Sequence, residues 1–391
     1  VELGLSQEHR LVQQNVRQFM VREIEPVCER IDREDRFPPG IWKKLGQMGW
    51  LGVTIPEEYG GSGFDVLAAV LIAEQMARVC PALALSYTAH SNLCAHNLHR
   101  NGTEEQRRKY LPGLCSGDLI GCLALTEPNA GSDAVCITTS ARRDGQGFVL
   151  NGRKTFITNA PVADVFLIYA KTDVSGGARG ITAFILDRGT PGLEAGRELE
   201  KMSNRGSPTG EIVLEDCRVD PSGVLGQVDG GIGVMMSGLD VERVVVAGIP
   251  LGLAQGALEA ALIYARQREQ FGRPICDFQL VKAKLADTDT EIEAARGLVH
   301  RAAWLADDME RGGKDTEVHR IAAAALLFAG RTAIRAADEA VQIHGGYGLM
   351  LEFPVNRFYR DAKLYEIGAG TSEIRRLVIA QEIINRGLGY V

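Results

Sequence analysis

Phe148-Val149-Leu150-Asn151-Gly152-Arg153-Lys154-Thr155-Phe156-Ile157, residues 148–157, interrupts a chain that is otherwise rich in helical spacing. Two short apolar runs flank Asn-Gly, a dipeptide suited to a two-residue hairpin, so a β-hairpin is predicted at Asn151-Gly152. Outward from it, Val165–Tyr169, Ile181–Leu186 and Glu211–Val219 read as further strands. Upstream, residues 7 to about 115 read as helical, with Leu11, Val12, Val16, Phe19 and Met20 at three-four spacing. Loops interrupt them at Pro38-Pro39 and at Pro56-Glu57-Glu58-Tyr59-Gly60-Gly61-Ser62-Gly63. Downstream, long Ala/Leu-rich amphipathic stretches cover 251–268, 279–310 and 316–343. The expected class is α+β: an N-terminal helical domain over 1–118, a compact β domain over 119–232 and a C-terminal helical domain over 233–391.

The 391 residues carry 45% hydrophobic and 24% charged side chains, values of an ordinary globular protein of two or three domains. A net charge of −7 argues against a nucleic-acid surface, which needs a basic face. The eight cysteines show no C-x-x-C and no metal spacing, so no metal site is expected, and several read as buried free thiols. No targeting segment and no membrane-length apolar run is visible. That leaves the cytoplasm in a bacterium or the mitochondrial matrix in a eukaryote as the expected compartment, with no membrane insertion.

Each candidate motif is modest by itself. Thr126-Glu127-Pro128-Asn129-Ala130-Gly131-Ser132-Asp133 reads first as a connecting loop and, more sharply, as a polar loop meeting a ligand. Gln342-Ile343-His344-Gly345-Gly346-Tyr347-Gly348 is either a helix C-cap or a glycine turn that admits a diphosphate. In order with Ile55–Gly61, Arg268-Glu269-Gln270-Phe271-Gly272 and Arg360–Glu373, they carry a resemblance to the acyl-CoA dehydrogenase family over essentially the whole chain. The resemblance implies a three-domain fold with a barrel-like middle domain, usually as a homotetramer. It also implies FAD held between the β domain and the C-terminal helices, oxidation of an acyl-CoA to its trans-2,3-enoyl form, and electron transfer flavoprotein as the electron acceptor.

The family's positions carry over residue by residue. Leu125 and Thr126 match residues beside the flavin ring, with Phe156 and Thr158 on its other approach. Many relatives have Trp where Phe156 stands, and a phenyl ring still packs against the isoalloxazine. Gly131 and Ser132 match residues near the flavin and the thioester chain. Arg268, Gln270 and Phe271 resemble the segment that reaches the FAD diphosphate and adenosine of a neighbouring subunit, and Gln342, Gly345 and Gly346 its complementary piece. Arginine suits phosphate because its planar donors pair with phosphate oxygens. Thr371 and Glu373, in the last matched segment, belong to the same cofactor set.

Dehydrogenation needs a base for the α-proton and a hydride acceptor for Cβ. Many relatives place a glutamate in the last loop, but here the aligned residues are Gly368-Ala369-Gly370-Thr371, and alanine accepts no proton. Either the chain has lost dehydrogenation, or another carboxylate reaches the carbon. The isovaleryl-CoA dehydrogenase branch places its base in a Leu-Asp-x-Glu-Arg context and has Gly-Ala-Gly-Thr in the last loop; this chain has Leu239-Asp240-Val241-Glu242-Arg243. Glu242 is therefore the candidate base, its plainer alternative being an acidic residue paired with arginine. Asp240 and Arg243 resemble contacts to the pantetheine and adenine end of CoA.

Gly368 and Ala369 leave volume for a β-branched or otherwise wide acyl chain. The residue-369 N–H, with a flavin ribityl hydroxyl, is expected to hold the thioester oxygen. Leu93, Val246 and the stretch Ser86–Asn92 are expected to line the acyl end. His90 is either a polar pocket residue or a hydrogen-bonded structural histidine. Lys201-Met202-Ser203-Asn204-Arg205-Gly206-Ser207 departs from the family pattern at a segment expected to border the flavin and CoA entrance. The expected reaction is conversion of isovaleryl-CoA to 3-methylcrotonyl-CoA. The alternatives are the same chemistry on a terpenoid or aryl-substituted thioester, a flavin-dependent elimination or desulfination, and a catalytically silent helical assembly.

Overall fold

The computed structural model describes residues 4–312 and 317–387. The first helices are α1 (Gln7–Phe19), α2 (Cys28–Glu34), α3 (Ile41–Gln47), α4 (Val66–Ala77), α5 (Pro81–Thr88), α6 (Asn97–Asn101) and α7 (Glu104–Ser116). Local chemistry starts and stops them. Ser6 caps α1 by accepting from the His9 N–H, and Thr103 with Gln106 forms a reciprocal capping box on α7. Wider π-helical turns at Met20–Ile24 and Ala89–His96 join neighbouring helices without a break.

Eight strands follow: β1 (Gly121–Ala124), β2 (Ser140–Asp144), β3 (Gly147–Thr158), β4 (Val165–Lys171), β5 (Ile181–Asp187), β6 (Leu193–Glu198), β7 (Thr209–Val219) and β8 (Val224–Leu225). They form one mixed sheet in the order β6-β7-β3-β2-β4-β5-β8, with β1 parallel to β4. β2 meets β4 through the single pair Ser140↔Lys171. There the sheet folds over a core of Phe148, Leu150, Phe166, Ile168, Phe184 and Leu214, which gives the barrel-like shape.

The hairpin expected at Asn151-Gly152 is corrected: both residues lie inside β3, which runs unbroken from Gly147 to Thr158. The turn sits six residues earlier, at Gly145-Gln146, where Asp144 pairs with Gly147 and Gly145 has φ 62°. Asn151 instead exchanges hydrogen bonds with Asp216 across a register shift between β3 and β7. Gly152 is required for another reason: a Cβ there would lie 2.4 Å from Thr139 Oγ1.

The chain returns to helix with α8 (Gly231–Gln267). A two-stranded ribbon of β9 (Glu269–Gln270) and β10 (Arg273–Pro274) follows, then α9 (Gln279–Glu310), α10 (Val318–His344), α11 (Pro354–Ala362) and α12 (Ser372–Arg386). In length and composition α8 could cross a membrane, which corrects the reading that no such apolar run exists. Its most apolar stretch is 78% buried, packed chiefly by α10, α4 and α9. The approach of α4 is unusually close. Cβ atoms on Gly248, Gly252 and Gly256 would lie 2.7, 1.9 and 2.2 Å from the carbonyl oxygens of Val70, Glu74 and Arg78. Glycine every fourth residue thus lets the α4 backbone lie directly on α8, and so sets where the N-terminal half of α8 sits.

Candidate active site

Glu242 lies on that half of α8, one turn before Val246, so both face the same way. It is 7% exposed, and its carboxyl accepts no hydrogen bond among the described residues. Burial pushes its pKa up from the ordinary 4.5 to about 7, against the opposing pull of Arg243 and Arg375. Val246 is buried beside it, and Leu93 is half-buried in the π-helical turn that packs on α8. Asp240 lies in α8 with its side chain outside the described residues.

Arg375, on the first turns of α12, joins this helix to the last loop. It is 1% exposed; its guanidinium donates to the Tyr365 carbonyl at 2.7 Å and to the Gly368 carbonyl. Immediately after those carbonyls the loop turns through Ala369 at φ 54° and Gly370 at φ 88°. A left-handed alanine costs about 1–2 kcal/mol, so the loop is held against its own preference. Thr371 caps α12 by accepting from the Ile374 N–H, which closes the turn on its other side. Burial and the neighbouring Arg243 lower the Arg375 pKa to about 10, with Glu242 opposing the fall.

The same loop is anchored from the β domain. Asn204 is fully buried at φ 50°; its Oδ1 accepts from the Tyr365 hydroxyl at 2.9 Å. Its N–H donates to Asp361 Oδ1 at 2.5 Å, and its Nδ2 to the Asp361 carbonyl at 3.2 Å. The segment expected to border an entrance therefore turns its central residue inward, beneath the last loop; Met202 is the exposed member. His90 is also decided: Nδ1 accepts from the Gly121 N–H and Nε2 bonds the Leu114 carbonyl, each at 3.0 Å. With both nitrogens on backbone and burial lowering its pKa to about 4, it is a structural brace between α7 and β1.

On the β domain, Thr126 and its neighbours are pinned by a buried pair that the sequence did not signal. Glu127 accepts from Lys154 Nζ at 2.8 Å, from the Thr138 N–H and hydroxyl at 2.6 and 2.8 Å, and from the Thr139 N–H at 2.9 Å. Lys154 Nζ also donates to the Leu125 carbonyl. Two residues on, Phe156 is 69% exposed at φ 59°, turned outward by the register shift between Lys154 and Ile157. Thr126 bonds Thr155 through its carbonyl, so the loop and this bulge move as one piece. Leu125 and Thr158 are half-buried alongside, and Gly131 and Ser132 lie exposed on the loop. An outward aromatic ring beside a pinned polar loop fits a flat ring system.

A second locus lies at the ends of α8 and α10. Arg268, Gln270, Tyr264, Gly345, Gly346 and Tyr347 line an open cleft of about 490 Å³. No atom would lie within 4 Å of a Cβ on Gly345 or Gly346, and the Arg268 guanidinium stands 5.7 Å from the Tyr347 ring centroid. A cation facing bare backbone suits a diphosphate. Three expected members stand apart from it. Phe271 is 93% exposed and meets Phe278, Gln342 is exposed one residue before Ile343, which lines the cleft, and Glu373 lies exposed on α12 near Arg376.

The sequence matches the N-terminal, middle and C-terminal domains of acyl-CoA dehydrogenases over residues 6–118, 122–217 and 229–384. It is 46% identical to the mitochondrial isovaleryl-CoA dehydrogenase of Pongo abelii, over 97% of this chain and 89% of that one. It is 40% identical to the 3-(aryl)acrylate reductase of Clostridium sporogenes, over 97% and 99%. The butyryl-CoA dehydrogenase structure from Megasphaera elsdenii superposes with a TM-score of 0.94 at 38% identity, covering 98% of this chain and 100% of that one. With a helical–sheet–helical architecture and, at Glu242, a buried carboxyl that accepts no hydrogen bond among the described residues, this chain belongs to the acyl-CoA dehydrogenase family of oxidoreductases.

Proposed function

We propose that the protein oxidises a short branched-chain acyl-CoA, isovaleryl-CoA, to 3-methylcrotonyl-CoA, with Glu242 as the base. The observation that carries this is a pairing: a buried glutamate on α8 that accepts no hydrogen bond among the described residues, and an alanine in the last loop, with Arg375 bonded to that loop and in electrostatic reach of the glutamate. A carboxyl poised near pH 7 matches the task of taking a weakly acidic α-proton. The Ala369 N–H is assigned to the thioester oxygen, where it stabilises the enolate-like charge as the proton leaves. Glycine and alanine at 368 and 369 leave the acyl end room for a branch, with Val246 and Leu93 as its apolar walls. Arg243 is assigned to the CoA side of the same helix.

FAD fits the residues present. Thr126, Phe156 and Thr158 would hold its ring, and Arg268, Gln270, Gly345 and Gly346 would hold the diphosphate end of the FAD of a neighbouring subunit. When bound, it supplies the acceptor for the β-hydride. Electron transfer flavoprotein is the proposed electron acceptor. A homotetramer is the proposed assembly, supported by exposed apolar side chains on the C-terminal helices, among them Leu280, Leu377 and Ile384.

The test is anaerobic titration of the yellow protein with isovaleryl-CoA, following the flavin absorbance. Prompt bleaching is expected. A flavin that dithionite reduces but isovaleryl-CoA does not would overturn the substrate assignment. The likeness to a 3-(aryl)acrylate reductase supports a second reading, the same chemistry on an aryl-substituted thioester. Faster bleaching by 3-phenylpropionyl-CoA would select it.

A further inference from the structure

We infer that Asn204, Tyr365 and Arg375 form a buried positioning chain through which the β domain sets the last loop, and with it Ala369, relative to Glu242. The inference rests on Glu242 being the base. None of the three residues was expected to take part, and none is assigned contact with substrate.

The chain is continuous. Asn204 Oδ1 accepts from the Tyr365 hydroxyl at 2.9 Å, and the Tyr365 carbonyl accepts from Arg375 Nη1 at 2.7 Å. The other arm of Arg375 reaches the Gly368 carbonyl, immediately before Ala369. One guanidinium thus holds the segment from Tyr365 to Gly368 that leads into a left-handed alanine, and the Gly368 carbonyl it holds shares a peptide unit with the Ala369 N–H; it also lies close enough to Glu242 to act on its charge. The base sits on α8 and the thioester-facing N–H in the last loop, so something rigid must relate them. Asn204 supplies the outer anchor. Its left-handed backbone and both amide groups are committed, to Asp361 on one side and to Tyr365 on the other.

This arrangement separates two effects. Tyr365 and Asn204 act on geometry alone, because neither carries charge toward Glu242. Arg375 acts on geometry and on charge. Among the described residues the groups facing Glu242 are Arg243 on its own helix, Arg375 from α12 and Tyr169 from β4. Removing the Arg375 charge should therefore raise the pH at which Glu242 ionises, whereas Tyr365→Phe should leave it in place.

The experiment uses the holoenzyme and a 3-thiaacyl-CoA, whose sulfur at C3 leaves no β-hydride to transfer. Exchange of its α-protons in deuterated water is followed by mass spectrometry across pH, with analogue Kd and protein Tm measured alongside. Tyr365→Phe and Asn204→Gly are expected to slow exchange about tenfold with Kd changed less than threefold and the pH midpoint unmoved. Combined, they should slow it little more than either alone, since they cut the same link. Arg375→Lys should slow exchange at an unchanged midpoint, and Arg375→Gln should slow it and move the midpoint upward. Wild-type exchange rates in both Tyr365→Phe and Asn204→Gly would overturn the inference, as would losses that track Tm alone. Glu242→Gln in the same assay keeps the two readings distinct: if it exchanges normally, the base assignment fails; if it is silent while Tyr365→Phe is normal, only the positioning chain fails.

Discussion

Glu127 and Glu242 are both buried glutamates with a cation nearby, yet their acidities diverge. Burial raises both. At Glu127 the Lys154 ammonium and the Thr138 and Thr139 donors overcome that rise and hold the carboxyl down at about 2. Glu242 has two arginines in electrostatic reach but no hydrogen bond among the described residues, and it rises to about 7. Glu127 has donors that Glu242 lacks among the described residues, although both side chains are nearly closed to solvent. A fully bonded carboxylate is fixed in one charge state and serves as a strut, whereas an unbonded one keeps both states within reach and is available for proton transfer.

The largest expected effect tests the second half of that contrast. Glu242→Gln should slow reduction by substrate up to about 10⁴-fold, roughly 5.5 kcal/mol of barrier, while the flavin stays bound. Stopped-flow absorbance checks this, and near-normal reduction would remove Glu242 from the mechanism. Lys154→Met addresses the strut: it leaves Glu127 buried without its cation and should cost about 4 kcal/mol of stability, read from urea unfolding. Loss of no more than about 1 kcal/mol would show that the Thr donors suffice.

Stability against pH sharpens the comparison. Because the folded pKa of Glu242 lies above its unfolded value, its contribution to stability is complete below about pH 4.5 and is lost as pH rises through about 7. Replacing it with glutamine should thus raise stability by about 3 kcal/mol at pH 8 and by little at pH 4.5. An equal gain at both would mean that charge is not the cause. The smallest effect is on rate: kcat/KM for the wild-type enzyme should fall about tenfold per pH unit below the Glu242 midpoint near 7, worth about 1.4 kcal/mol per unit. Glu127, already ionised, adds no inflection there. A profile flat from pH 5 to 8 would break the assignment.

Members of the proposed site could be named from the sequence through the family resemblance. Arg268 with Gln270 and Gly345 with Gly346 are short local patterns, and they meet in one cleft. Glu242 was found from a substitution elsewhere in the chain, the alanine at 369. Arg375, Tyr365, Asn204 and Lys154 were not found. Each acts by donating or accepting across more than a hundred residues or across a loop, and nothing in its local spacing distinguishes it from a solvated polar side chain. Asn151-Gly152 shows the opposite failure, a strong local turn signal overridden by the bulge opposite Asp216.

Composition, periodicity and a few glycine-rich segments were sufficient for the helix–sheet–helix order, because those patterns reflect local propensity and the need to bury one face of each element. Only the tertiary structure decided which buried carboxyl is a strut and which is free to ionise. That depends on the hydrogen-bond donors the fold delivers to each, and those donors come from parts of the chain far apart in sequence.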